Sequence, residues 1–365
     1  MPGVFVLIDS RIHTTGYARL TRLQARAVLT VVVLTLVSAI AVTLSPLARG
    51  NLDLLAPHRD GASDVALYRA EVDRIHDGEG YYQAAAAELT ARGYPTRSVF
   101  NWRTPLPMWL LGQMPALALG KAMFGAMSLA LMLLAFEALA REDSANTKLR
   151  SVACVLLLTG PLLPTILGDV FIMPVLWAGV LIALSACAYG VNRPWLGVAC
   201  GLAAVFFREL ALPYCVVCAA LAWWQGRRGE LAVWMFGLLA WLAFFGLHCW
   251  QVSQLIAPDA RAHRQGWIQF GGAGFVIATI QMNAYLLLLP QWVAAVYVVA
   301  ALVGFAGWPT PLGTRIGLSA CLFIAAFAVV GHDFNLYWGL LIAPLLCFGV
   351  VRFPASLGDL WQAAK

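Results

Sequence analysis

Long apolar runs recur along this 365-residue sequence, and they restrict its fold more than any other feature. A helix needs about 20 apolar residues to cross a bilayer, and several runs reach that length. Lipid admits only helices or closed barrels, and the sequence lacks the alternation that barrel strands show over about ten residues. Only 12% of the residues are charged, against roughly 25% in soluble domains. The sequence therefore predicts an all-α, polytopic helical membrane protein, with one domain over residues 1–365.

These runs predict about ten transmembrane helices. The first run follows Arg19, Arg22 and Arg26, which predicts an uncleaved span and a cytoplasmic N-terminus. The predicted spans lie at about 27–46, 121–140, 151–166, 171–190, 195–207, 211–225, 231–249, 286–307, 315–331 and 335–351.

Two further apolar segments do not form clear spans. Residues 105–119 are short and carry three Pro, which favours a half-inserted or interfacial helix. Residues 273–307 are either two spans, or an amphipathic surface helix at about 273–284 followed by one span. We prefer the second interpretation because it leaves Arg315 and Arg352 in the cytoplasm, as the positive-inside rule expects.

The main polar segment follows the first span directly. Residues 50–104 form a predicted extracytoplasmic loop with eight of the eighteen acids of the chain: Asp53, Asp60, Asp64, Glu71, Asp73, Asp77, Glu79 and Glu88. The predicted topology places Asp169, Arg208–Glu209, a second polar loop at about 250–272, and His332–Asp333 on the same outer face. Ionisable groups at or within spans are costly, so their convergence on one face predicts a functional site there.

Charge and cysteine usage exclude several other functions. The net charge of +6 comes mostly from Lys and Arg in short connecting loops. These residues indicate the membrane topology through the positive-inside rule, and the charge does not predict nucleic-acid binding. All eight Cys lie in or at the ends of apolar runs; Cys215 and Cys218 have CxxC spacing, but on a membrane helix they are expected to be small packing residues. The sequence predicts no disulfide framework, no metal site and no cofactor.

Short motifs in this order resemble a known superfamily. They are Asp64-x-x-x-Tyr68, then Gly78-x-x-Tyr81 with Tyr82, Arg103-Thr-Pro-Leu-Pro, Gly168-Asp169, the run from Gly201 to Arg208, and His332 to Tyr337. Together they resemble the GT-C superfamily of polyprenyl-phosphate-dependent glycosyltransferases, in its mannosyltransferase-like branch. Arg208 stands where Lys is common in that superfamily.

The resemblance implies an enzyme of the cell inner membrane with its active site on the extracytoplasmic face. Such an enzyme takes a sugar from a polyprenyl-phosphate donor among the membrane lipids and transfers it, normally with inversion, to a glycan, lipid or protein acceptor. Inversion requires a base for the attacking hydroxyl, and Asp64 matches the family position. Asp77 and Glu79 are the nearest competitors for this role.

The departing lipid phosphate needs a cation at membrane depth, and Arg208 is predicted to bind it. Glu209 either orients Arg208 or neutralises it, and Asp169 holds Arg208 or the acceptor. Arg103 and His332 are secondary phosphate or acceptor ligands. If these assignments hold, Asp64, Asp169 and Arg208 converge within about 10–15 Å.

The tyrosines of the signature have two interpretations. Tyr68, Tyr81 and Tyr82 are predicted to bind substrate, and the alternative is the aromatic belt of the membrane interface.

The function as a whole also has alternatives. A transporter or flippase of lipid or glycan would share the topology, although we find no internal repeat of the kind such proteins show. A non-catalytic membrane subunit is the other alternative.

Overall fold

A computed structural model describes residues 15–45, 64–142, 147–163, 166, 168–262 and 266–365. All regular structure in these ranges is helical, apart from a single bridge between Ile268 and Val330. The α-helices, numbered in chain order, are α1 Arg22–Leu44, α2 Asp64–His76, α3 Tyr81–Ala91, α4 Val99–Trp102, α5 Leu106–Gly112, α6 Leu117–Ala140, α7 Thr147–Leu162, α8 Pro174–Gly190, α9 Pro194–Phe207, α10 Leu212–Trp224, α11 Arg228–Leu255, α12 Gly272–Ile280, α13 Ala284–Leu287, α14 Gln291–Ala306, α15 Pro311–Val329 and α16 Gly339–Ala364.

Five helical segments in the described ranges are long and apolar enough to cross a membrane: α1, α6, α11, α15 and Asp333–Ala364, where a 3-10 turn leads into α16. No residue in the most apolar stretch of helix α1 is fully buried in the protein. Such a surface is stable against lipid and costly in water. These helices confirm the predicted class of helical membrane protein. Helices α8, α9, α10 and α14 are apolar but shorter, so the count of about ten spans stays a prediction.

The helices match the predicted spans one by one, but the segment 273–307 differs from its prediction. Helix α12 is not a surface helix, because Phe275 to Ile280 are all buried. It packs against α1, α14, α15 and α16. The sequence Gly-Ala-Gly-Phe-Val-Ile-Ala-Thr-Ile is apolar on every side, and such a helix belongs in an interior. The following span is also shorter than expected, because α14 begins at Gln291, directly after Pro290.

Helix α16 forms the centre of the bundle, and it contacts α1, α7, α8, α14 and α15. Its closest approach is to α14, where the helices cross at two glycines. A Cβ atom on Gly304 would lie 1.8 Å from the carbonyl oxygen of Gly349, and one on Gly349 would lie 2.4 Å from that of Ala301. Small residues let membrane helices pack this closely.

We expect Gly304→Ala to destabilise the protein, because α14 and α16 must separate to admit the methyl group. Overpacking of this kind costs about 1–3 kcal/mol, which would appear as a lower unfolding temperature in detergent. Gly125→Ala is the matched control, since a Cβ atom on Gly125 of α6 has nothing within 4 Å. Equal unfolding temperatures for the two variants would contradict the close crossing.

The bundle has two polar ends. At the first, which we call the terminal end, the start of α1 meets the end of α16: Arg26 Nε donates to the carbonyl of Ala364 at 2.9 Å, and Thr15 Oγ1 donates to Asp359 at 2.8 Å. The second, which we call the loop end, carries α2 to α5.

Candidate functional site

Helix α2 brings the polar signature of the sequence to the loop end. It buries Leu67, Tyr68, Glu71, Val72 and Ile75, which share one face at helical spacing. Asp64 lies in the first turn of α2, where the helix dipole favours a carboxylate. The Tyr94 hydroxyl donates to Asp64 Oδ1 at 2.8 Å, so one oxygen of this carboxylate is held in place.

Arg103 has the most unusual backbone in this region. Its φ of 59° and ψ of 170° lie in a conformation that is essentially limited to glycine. The buried Tyr81 stabilises the turn, because its hydroxyl donates to the carbonyl of Trp102 and, at 3.2 Å, to that of Arg103 itself. A non-glycine residue held here costs of order 1–3 kcal/mol, and such residues cluster at functional sites. The strain therefore indicates a functional role for Arg103.

The Arg103 guanidinium contacts only neutral oxygens. Nε donates to the Tyr68 hydroxyl and Nη2 to the Tyr337 hydroxyl, each at 2.9 Å, and Nη1 donates to the carbonyl of Phe100. No carboxylate of the described residues lies within ion-pair distance of it. Arg103 is thus oriented by three partners while its positive charge stays available to a ligand.

Arg208 and Glu209 form a second charged pair directly after α9. Arg208 is only 2% exposed, and its Nη1 lies 3.0 Å from Glu209 Oε1. That contact does not satisfy the pair, because Nη1 and Glu209 Oε2 each lack a well-aligned hydrogen bond to any described residue. Thr104, next to Arg103, donates to the carbonyls of Phe206 and Phe207 and so ties the Arg103 turn to the end of α9.

The Tyr68 hydroxyl is within electrostatic range of Asp64, Arg103 and Arg208. Burial raises the pKa of Tyr68 well above its ordinary value; Arg103 and Arg208 oppose this shift, and the Asp64 carboxylate adds to it. All three charged groups are therefore within electrostatic range of one buried hydroxyl. Glu209 in turn lies within range of Arg103. Asp64, Tyr68, Arg103, Arg208, Glu209 and Tyr337 form what we call the Arg103 cluster.

His332 joins this cluster through its backbone. Its amide donates to Asn335 Oδ1 at 3.0 Å, and Asn335 Nδ2 donates to the Tyr337 hydroxyl at 3.4 Å. The His332 ring is buried, stacks on Phe334 and meets the edge of Trp267. In this structure His332 positions Tyr337, and through it Arg103.

Asp169 is ion-paired with Arg69 and not with its predicted partner Arg208. Its carboxylate accepts a hydrogen bond from Arg69 at 2.9 Å, and both side chains are more than 40% exposed. Arg69 follows Tyr68 on α2, and consecutive helical residues point about 100° apart. Tyr68 therefore faces the Arg103 cluster, while Arg69 faces outward with Asp169. Asp64 and Arg208 both lie within electrostatic range of Tyr68, whereas Asp169 is ion-paired with Arg69, so the predicted convergence of the three groups stays a prediction.

The competing acids of the loop have other surroundings. Glu79 forms a salt bridge with Arg74 at 2.8 Å, and Asp77 is exposed. Asp53 and Asp60 lie outside the described residues. Across the described ranges, no group of three His, Cys, Asp or Glu side chains is arranged to hold a metal ion. Asp64, in contrast to Asp77 and Glu79, is held by Tyr94 and lies within electrostatic range of Arg103.

Three residues of this region were not predicted from the sequence. Tyr94 orients Asp64. His248 of α11 is buried, stacks on Tyr82 and lies 3.3 Å from its hydroxyl through Nδ1. Glu71 is only 2% exposed. The helical spacing of Asp64, Tyr68 and Glu71 would have identified Glu71, and a lone His in an apolar run was the available signal for His248.

Glu71 makes stability depend on pH. Burial raises the pKa of its carboxyl from 4.5 to about 8; Glu88 and Asp64 add to the shift, and Arg103 and Arg92 oppose it. The folded protein therefore keeps this proton over a pH range in which the unfolded chain has lost it. Stability contributed by the protonated group is complete below about pH 4.5 and falls as the pH rises towards about 8.

We expect Glu71→Gln to gain a few degrees in unfolding temperature over the wild type at pH 8.5 and little at pH 5, because the amide cannot ionise. Thermal unfolding across this pH range measures the difference. Glu79→Gln serves as the control at an exposed acid and should keep the wild-type slope. A constant difference between Glu71→Gln and the wild type at both pH values would contradict the raised pKa.

Comparison with known proteins finds no protein-family model, no curated protein and no solved structure that matches this chain.

Proposed function

We propose that this protein is an integral-membrane glycosyltransferase of GT-C type, which transfers a sugar from a polyprenyl-phosphate donor to a hydroxyl acceptor. The observation that carries the proposal is the Arg103 cluster, where the buried Tyr68 hydroxyl is bonded to Arg103 and lies within electrostatic range of Asp64 and Arg208. We further propose that the loop end faces the extracytoplasmic side of the cell inner membrane.

The charges that develop during the reaction match the charged groups of this cluster. The acceptor hydroxyl attacks the anomeric carbon and gives its proton to Asp64, while the bond from that carbon to the phosphate oxygen breaks. Attack from the face opposite the phosphate inverts the anomeric configuration. The departing lipid phosphate gains negative charge, and Arg103 and Arg208 stabilise it. Guanidinium groups suit this role because their paired donors match phosphate oxygens.

The remaining residues act on these groups. Tyr81, buried and bonded to the Arg103 turn, is a positioning residue. Tyr68 and Tyr337 orient the Arg103 guanidinium, and Glu209 restrains Arg208. Tyr82 is only half-buried and lies beside His248, so its ring is the aromatic face of the signature that a sugar can reach. Asp169 and Arg69 lie outside this set.

The function is tested with purified protein in liposomes that contain polyprenyl-phosphate sugars labelled in the sugar, together with membrane glycans, lipids and peptides as acceptors. We expect label in an acceptor and one free lipid phosphate for each sugar transferred. Label that only changes leaflet would identify a transporter and contradict the proposal. Absence of both transfer and movement, over a panel of hexose and pentose donors, would identify a non-catalytic subunit.

A further inference from the structure

A second buried charged group lies at the terminal end, around the ring of Tyr189 at the end of α8. The Tyr189 hydroxyl donates to Glu230 Oε1 at 2.6 Å and accepts from Trp234 Nε1 at 3.2 Å. Arg227 forms an ion pair with the other oxygen, Glu230 Oε2, at 2.5 Å. Both oxygens of this carboxylate are therefore engaged.

Arg315 of α15 lies against the face of the same ring. Its guanidinium carbon is 3.5 Å from the ring centre, and the side chain reaches the Cys218 thiol. Arg315 is only 2% exposed. Its Nε and Nη2 have no hydrogen-bond partner among the described residues, and no described carboxylate forms an ion pair with it.

The charges around Tyr189 do not balance. Arg227 and Arg315 contribute two positive charges, and Glu230 contributes one negative charge. A buried charge without a counter-ion is costly, and a cation–π contact offsets only part of that cost. One anion from outside the chain would balance the group and satisfy its free donors.

Both arginines have donors available to such an anion. Arg227 Nε and Nη2 are also buried and unpartnered in the described structure. The two ring distances, 3.5 and 5.5 Å, limit the separation of the guanidinium carbons to about 9 Å. The Arg227 side chain is 32% exposed, so the group lies near the protein surface.

The surroundings indicate the depth of this group in the membrane. Trp195, Trp223 and Trp224 are 60%, 68% and 82% exposed, and they lie at the start of α9 and the end of α10, beside the Arg227 turn. Exposed Trp side chains mark the level of lipid headgroups. An anion at this level would be the phosphate of a lipid headgroup or a phosphate from solution.

We propose that Arg227 and Arg315 bind one phosphate group at the terminal end, in a site that is separate from the Arg103 cluster. Guanidinium donors bind phosphate oxygens through short charge-assisted hydrogen bonds. Binding at this site would brace α8, α11 and α15 against one another. The proposal does not depend on the transfer reaction, because none of its residues belongs to the Arg103 cluster.

The test uses the full-length protein in a nonionic detergent. Native mass spectrometry first records whether the purified protein retains a phosphate-bearing adduct. Short-chain phosphatidylglycerol and inorganic phosphate are then titrated separately, with chloride as the reference, and the unfolding temperature is followed. We expect one of the two to stabilise the wild type saturably or to be already bound, and this result identifies the source of the phosphate.

Arg315→Gln should weaken that binding at least about tenfold, as expected for the loss of charged hydrogen bonds. If Arg315→Gln does not fold, the half-buried Arg227→Gln carries the same expectation. Arg193→Gln is the matched control, because Arg193 is an exposed arginine at the same end. A wild type that neither retains nor binds either ligand would overturn the proposal, as would an Arg315→Gln or Arg227→Gln protein that binds like the wild type.

Discussion

Asp64→Asn is expected to abolish sugar transfer while the protein stays folded. Removal of a general base lowers kcat by about 10²–10⁴-fold. An asparagine keeps the shape of the side chain and can still accept the hydrogen bond that Tyr94 donates to Asp64. We therefore expect the unfolding temperature to stay close to that of the wild type, and the binding of a polyprenyl-phosphate sugar to persist. Initial rates with labelled donor and a quantified acceptor measure the effect.

Asp77→Asn is the matched control for this variant. Asp77 is an exposed acid of the same loop, and helix α2 separates it from Asp64. Its loss should therefore leave the rate within about twofold of the wild type. A fully active Asp64→Asn protein would remove Asp64 from the mechanism. A rate loss confined to Asp77→Asn would move the base to the turn between α2 and α3.

Substitution of Arg103 is expected to lower the rate of sugar transfer nearly as much as Asp64→Asn does. Loss of one preorganised group that stabilises transition-state charge costs about 10²–10³-fold in kcat. Arg103→Lys keeps the charge, but a single ammonium group cannot reproduce the planar fork that contacts Tyr68, Tyr337 and the Phe100 carbonyl together. We expect Arg103→Lys to lose most of the activity, and Arg103→Ala and Arg103→Gly to lose nearly all of it.

The Arg103→Ala and Arg103→Gly proteins should differ in stability. Glycine adopts a φ of 59° with a ψ of 170° without strain, whereas alanine keeps the strain and loses the bonds that hold it. Arg103→Gly should therefore unfold at a higher temperature than Arg103→Ala, by an amount equivalent to about 1 kcal/mol or more. If the two variants have equal stability, the strained turn is not a feature of the folded protein. If both retain activity, Arg103 does not bind the phosphate.

The helical fold could be predicted from the apolar runs because membrane spans need length and hydrophobicity, which a sequence shows directly. The order of helices from α6 to α11 follows the predicted spans closely. The burial of helix α12 could not be predicted, because nine apolar residues give no indication of which neighbours cover them. Its burial depends on α1, α14, α15 and α16, which come from distant parts of the sequence.

The candidate site was predictable where its residues follow a motif on one helix. Asp64 and Tyr68 are four residues apart, so they share a face of α2. The pairing of Asp169 was not predictable, since it depends on the direction in which Arg69 leaves α2. The sequence held a signal for Glu71, in its helical spacing from Asp64 and Tyr68, and a weaker one for His248, a lone His in an apolar run; the extent of their burial appears only in the structure. The strain at Arg103 likewise appears only in the backbone geometry.

An experimental structure with a bound phosphonate analogue of a polyprenyl-phosphate sugar tests the central claim most directly. We expect the phosphonate oxygens within hydrogen-bond distance of the Arg103 and Arg208 guanidiniums, about 2.7–3.2 Å. The anomeric carbon should present its free face to Asp64, with room for one hydroxyl between them. An analogue bound away from both arginines, or with Asp64 on the same side as the phosphonate, would contradict the proposed site.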